Sequence, residues 1–154
     1  MTFAVIRIRG IVNVRTDIED TLKMLRLNQV NHCVILPKTK SYLGMLQKVK
    51  DYVTWGEVSP EILARMILHR GRLTGDKKIS DSYIKKNTKY KSIMSFAKAV
   101  SSGETNYKDV KEIKPVIRLH PPKKGYEGVK KSYSAGGALG YRGQDINKLI
   151  ERMI

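Results

Sequence analysis

From Pro121 the chain runs Pro121-Pro122-Lys123-Lys124-Gly125-Tyr126 into Gly136-Gly137-Ala138-Leu139-Gly140-Tyr141-Arg142-Gly143, and then into one short amphipathic helix. A stretch this basic and this rich in glycine cannot build a core, because it offers few apolar side chains to bury and a backbone that is costly to order. It reads as a surface made to lie against something else. The charge of the whole chain says what: 30 Lys and Arg against 14 Asp and Glu give a net charge of +16 and a pI near 10.0. A field of that sign concentrates polyanions, nucleic acid first and an anionic membrane second.

The remaining composition narrows the class. With 154 residues, 41% apolar and 29% charged, the chain is expected to fold as one ordinary domain, or as a small domain with a companion. No run of about eighteen apolar residues occurs, and Met1-Thr2-Phe3-Ala4-Val5-Ile6-Arg7 lacks the pattern of a secretory signal, so an intracellular, cytoplasmic protein is expected. A single cysteine, Cys33, excludes an internal disulfide and a Cys-based zinc cluster. His32, His69 and His120 fall at unrelated spacings, so neither a metal nor a cofactor is expected. No nucleophile, base and orienter can be assembled from these histidines and the available Ser and Asp residues, and catalysis is not expected.

Strand and helix signals alternate through the first sixty residues. Phe3 to Arg9 reads as a strand with Ala4, Ile6 and Ile8 on one face and Phe3, Val5, Arg7 and Arg9 on the other. Thr16-Asp17-Ile18-Glu19 has the spacing of a capping box that opens a helix to about Leu27. A buried strand from His32 to Leu36 ends at Pro37, a helix starts at Lys38-Thr39-Lys40-Ser41, and Tyr52 to Val58 supplies a third strand. This β-α-β-α-β order predicts a small sheet covered by helices on one face, the other face being left to solvent or a ligand. Ser59-Pro60-Glu61 then opens a helix ended by Gly71, and further helices are expected over Ser80–Lys86 and Tyr90–Ser101. After Lys114-Pro115 the period returns to two, and Val116-Ile117-Arg118-Leu119 is expected to rejoin the first sheet as an edge strand. The fold class is therefore α+β. Residues 1–58 and 115–154 form the core, residues 59–114 a small helical insert, and the last helix, Gln144 to Met153, docks Ile146, Leu149, Ile150 and Met153 on the body.

The candidate contacts to nucleic acid are cations in groups. Arg7 and Arg9 share a strand face and can fork onto phosphates, although solvated edge charges would look the same. Lys38 and Lys40 sit at a helix N-terminus, where the dipole disfavours cations unless an anion is also bound. Arg70 and Arg72 flank a glycine in a loop continued by Lys77 and Lys78. The largest group is Lys114, Arg118, Lys123, Lys124, Lys130 and Lys131, interleaved with Tyr126 and Tyr133, which supplies cations for a backbone and aromatic faces for unpaired bases. Gly136, Gly137 and Gly140, with Arg142 beside them, let a backbone approach a phosphate closely. They do not form a nucleotide-binding loop, since neither Gly-Lys-Ser nor Gly-x-Gly-x-x-Gly is present.

Three further stretches carry a resemblance. Phe3-Ala4-Val5-Ile6-Arg7-Ile8-Arg9-Gly10, Thr21-Leu22-Lys23-Met24-Leu25-Arg26-Leu27 and Thr54-Trp55-Gly56 resemble the ribosomal large-subunit protein family called L-thirty in prokaryotes and L-seven in eukaryotes. Gly136-Gly137, Gly140-x-Arg142 and Ile146-Asn147-x-Leu149-Ile150-x-Arg152-Met153 resemble the ending of its longer members, and the length looks archaeal. The resemblance implies a ferredoxin-like core with a helical addition, and a structural, non-catalytic role on large-subunit ribosomal RNA among other large-subunit proteins. In archaeal members it also implies proximity to the 5S RNA. Bacterial forms stop near Val58, so the analogy to them is silent from Ser59 onward. The alternative is a non-ribosomal RNA-binding or ribosome-assembly factor of the same fold.

Overall fold

Alternation in the first strand organises the molecule. β1 (Thr2–Arg7) turns Phe3 and Val5 into one apolar cluster and Ala4 and Ile6 into another, so both faces of the strand are buried. The computed structural model describes residues 1–154. After β1 come α1 (Thr16–Met24), β2 (His32–Pro37), α2 (Lys40–Lys48) and β3 (Val53–Glu57). Three helices follow, α3 (Pro60–Arg70), α4 (Asp81–Asn87) and α5 (Ile93–Ser102). The chain closes with β4 (Val116–Arg118), β5 (Gly128–Ser132), β6 (Gly137–Tyr141) and α6 (Ile146–Glu151). The strands make one six-stranded sheet in the order β4-β2-β1-β3-β6-β5. β1 is antiparallel to β2 and β3, β4 is antiparallel to β2, and β6 lies parallel to β3 and β5.

The α+β class and the β-α-β-α-β start are as expected, and α1 and α2 cover one face through Leu22, Leu46 and Val49 packed on Phe3, Val5, Val34, Val53 and Trp55. The expectation that the second face is open is overturned. Ala4, Ile6, Cys33 and Ile35 on that face belong to a core of 26 buried residues that includes Ile62, Met66 and Ile67 of α3, Phe96 and Val100 of α5, and Ile146, Leu149 and Ile150 of α6. An apolar strand face and apolar helix stripes cannot both remain in water at roughly 25 cal/mol per Å², so they cover each other.

Local signals place most helix ends. Ser59 accepts from the Ile62 amide with Pro60 as the first helical residue, and Ser80 accepts from the Tyr83 amide. Ser92 and Ser95 form a reciprocal capping box, which starts α5 at Ile93 rather than Tyr90, and Gly103 ends it in the left-handed region. The expected box at Thr16 does not form. Arg15 occupies the cap position without a side-chain bond, and Glu19 pairs instead with Lys23 at 3.2 Å.

The segment expected to be an irregular glycine-rich loop departs most from its sequence reading. Its second half becomes β6, an interior strand between β3 and β5, and Gly137, Ala138 and Leu139 are buried. Only β5 remains exposed along its whole length. The sheet also holds an arginine. Arg7 is 2% exposed, and its guanidinium donates to the carbonyls of Leu27 at 2.6 Å, Arg9 at 2.8 Å and Gly10 at 3.1 Å. Burial lowers its pKa, with Glu19 and Tyr52 opposing the shift. Replacing it by an apolar side chain of similar length, Arg7→Met, leaves these carbonyls without a donor. Denaturant unfolding should show a loss of about 2–4 kcal/mol, and an unchanged midpoint would contradict this role.

Candidate nucleic-acid interface

Charge is abundant and mostly uncompensated. Eight cations form ion pairs with carboxylates. Arg7 and Arg142 are buried, so twenty of the thirty Lys and Arg have neither a carboxylate partner nor an interior place. Self-repulsion of this size costs stability in the free protein and is relieved by a polyanion.

Arg142 is 6% exposed and works as an internal brace. Its Nε donates to Thr54 Oγ1 at 2.8 Å, its Nη2 donates to the Ala138 carbonyl at 2.7 Å, and the guanidinium lies 4.9 Å from the Tyr133 ring centre. Burial lowers its pKa, and Glu127 is the leading opposing influence. Neither Arg7 nor Arg142 therefore presents the outward guanidinium that the sequence suggested; both satisfy backbone carbonyls. Arg9 lies beyond the end of β1, with its guanidinium 5.2 Å from the Tyr52 ring centre.

The two candidate tyrosines are likewise engaged within the protein. Tyr126 packs against the main core and its hydroxyl donates to Asn31 Oδ1 at 2.6 Å, while Tyr133 lies under Arg142 and donates to Asp145. Gly137 is needed for packing. A Cβ there would stand 2.1 Å from the Lys131 carbonyl oxygen, so the bare backbone is what lets β6 lie against β5. Gly136 is exposed with φ of 82°, and Gly140, at φ of 84°, accepts a bond from Thr54 Oγ1 through its carbonyl.

The lysines are the residues that face outward. Lys40 is exposed in the first turn of α2, and Lys38 stands 3.7 Å from Glu57 and 5.6 Å from the Phe3 ring centre. Lys77 and Lys78 lie on a turn closed by the Leu73 amide donating to the Lys77 carbonyl and by a bridge between Arg72 and Lys78. Lys123 and Lys124 occupy a turn fixed to the end of α6. The Lys123 amide donates to the Arg152 carbonyl at 3.0 Å, and Arg152 returns bonds to the carbonyls of Lys123 and Gly125. Lys130 and Lys131 line β5.

One grouping made on sequence proximity is broken by the sheet order. Lys114 and Arg118 lie at the β4 edge beside Arg70 and Arg72, whereas Lys130 and Lys131 lie on β5 at the opposite edge. Five strand spacings of about 4.8 Å put the two edges about 24 Å apart. Nothing in the linear order of these residues announces that separation, which follows from β4 pairing with β2 and β6 with β3.

The glycine geometry yields a test on the free protein. Gly136→Ala meets nothing within 4 Å and pays only for its positive φ, about 1 kcal/mol, whereas Gly137→Ala must push β5 off β6 and should cost roughly 2–3 kcal/mol. Equal losses in thermal unfolding would contradict the packing role.

Known proteins similar to this chain are ribosomal. The family model described as Ribosomal protein L30p/L7e matches residues 3–53, the stretch from β1 to the start of β3. The large ribosomal subunit protein uL30 of Methanocorpusculum labreanum is 54% identical over 151 residues, covering 98% of this chain and 99% of the relative. Those of Methanoculleus marisnigri and Methanobrevibacter smithii are 52% and 53% identical, again covering 99% of each relative. With this identity sustained from the first strand through the terminal helix, the chain belongs to the uL30 family of large ribosomal subunit proteins, in its long archaeal form.

Proposed function

We propose that this protein binds folded large-subunit ribosomal RNA through its phosphates, bridging RNA segments that lie against opposite edges of its sheet. The family is structural rather than enzymatic, so the cations have a scaffolding task. The observation that carries the reading is their placement. Lys77, Lys78 and Arg118 lie at the β4 end of the sheet and Lys130 and Lys131 at the β5 end, while Lys123 and Lys124 project from the turn fixed to α6. The turns that carry them are closed by backbone hydrogen bonds, so little conformational entropy remains to be lost on binding. Recognition then rests on shape and backbone charge, as befits structured RNA whose deep groove side chains cannot read. Proximity to 5S RNA belongs to the same reading, as does residence in the cytoplasmic ribosome among other large-subunit proteins.

Counterion release gives the test. Affinity for a large-subunit RNA fragment should fall linearly with salt on a log-log plot, with a slope magnitude on the order of 4 to 8. Replacing Lys123 and Lys124 together by Ala should lower that magnitude by roughly 1 to 2, with little change in the thermal midpoint because both side chains are exposed. A flat salt dependence would overturn the reading.

A further inference from the structure

Beside the β4 edge lies a cleft of about 230 Å³ lined by Arg70, Arg72, Asp76, Lys114, Val116 and Arg118. Four of its lining side chains are cations and only one is a carboxylate. Arg70 is the last residue of α3, Arg72 and Asp76 come from the following turn, Lys114 precedes β4 and Arg118 is its last residue. The frame is fixed by backbone bonds. The Lys114 amide donates to the Arg72 carbonyl at 2.9 Å, the Thr74 amide donates to the Glu112 carbonyl at 2.8 Å, and Leu73 bridges Ile113. Beneath it Leu73, Ile79, Ile113 and Ile117 are buried in the core.

Within this frame the charges are unevenly used. Lys114 is paired with Asp76 at 2.5 Å, and its hydrogen bond and charge hold the Asp76 carboxyl below the ordinary carboxylate range. Arg72 Nη1 donates to the carbonyls of Gly71 at 2.9 Å and His69 at 3.3 Å, which orients the guanidinium while its Nε and Nη2 remain unused. Arg70 and Arg118 have no carboxylate partner. Across β4, Arg118 faces His32 of β2 rather than an acid. Three guanidinium groups sharing one small cleft repel one another, and their planar forks match the oxygens of a phosphate group. Val116 is the only apolar lining residue, so the cleft offers no platform for a base.

We infer that this cleft is a phosphate-binding site that seats one phosphoryl group between Arg70, Arg72 and Arg118, supplied either by an RNA backbone phosphodiester or by free phosphate. In its RNA form the inference rests on the proposed ribosomal-RNA reading. Lys114 and Asp76 neutralise each other at one wall, which leaves the three arginines to define the seat.

The test is a titration of the full-length protein with inorganic phosphate at constant ionic strength, followed by amide chemical shifts. Saturable shifts confined to residues 70–78 and 114–118 are expected. Arg118→Gln, a change at an exposed side chain, should weaken the isotherm by about fivefold or more, and Lys98→Gln, at an exposed position of α5, should not. Linear shifts spread over all basic residues, or an Arg118→Gln isotherm equal to that of the wild type, would overturn the site. Adding a large-subunit RNA fragment to the phosphate-saturated protein separates the sources. Displacement of phosphate from these residues assigns the seat to the RNA backbone, and RNA binding that leaves the phosphate shifts in place assigns it to free phosphate. If the RNA does not bind at all, the ribosomal-RNA reading fails while the phosphate isotherm still decides the site.

Discussion

The junction between β3 and β6 is the constraint on which the rest of this structure depends. Thr54 Oγ1 donates to the Gly140 carbonyl at 2.8 Å and accepts from Arg142 Nε at 2.8 Å, and the same guanidinium reaches the Ala138 carbonyl at 2.7 Å. One hydroxyl and one arginine thus hold a five-residue strand containing two glycines, which has little intrinsic preference for a sheet. Gly56 completes the junction, since a Cβ there would stand 1.9 Å from the Gly143 carbonyl oxygen. Once β6 is fixed, the turn after it aims α6 at the second face of the sheet, where Ile146, Leu149 and Ile150 close the larger core.

Burial also divides the charge. The two arginines whose guanidinium groups satisfy backbone carbonyls from within, Arg7 and Arg142, hold strands and loops in place. The cations left outside are mostly lysines, among them those on the closed turns and on β5, together with the arginines of the cleft beside β4. A delocalised guanidinium is weakly hydrated and tolerates burial among carbonyls, whereas an ammonium is strongly hydrated and stays in water. Accordingly both internal braces are arginines, and no lysine is buried. A sequence-level count of positive charge does not see that division.

What was legible in the sequence is what is decided locally. Ser59 with Pro60, Ser80 and Gly103 mark helix ends by bonds made within a few residues, and the alternation through Phe3, Ala4, Val5 and Ile6 is a property of the strand itself. The apolar face of the last helix was equally clear. What was not legible depends on contacts distant along the chain. Gly137 to Tyr141 reads as part of a loop because the residues that make it a strand, Thr54 and Trp55, lie more than eighty positions away. Proximity along the chain groups Lys114 and Arg118 with Lys130, although the sheet sends them to opposite edges. Tyr126 and Tyr133 read as free for stacking because no spacing signals Asn31 and Asp145, which bind their hydroxyls.

The central claim is that two edges of one rigid sheet meet separate RNA segments, and directed hydroxyl-radical probing in reconstituted large subunits tests it most directly. Iron chelates tethered through Lys78→Cys and, separately, Lys130→Cys would report the nucleotides near each edge. Cys33 does not interfere, being fully buried with its thiol pushed up to about 12 by desolvation. The account predicts two distinct sets of cleaved nucleotides, one for each edge. A single shared set, or cleavage from only one of the two positions, would contradict it.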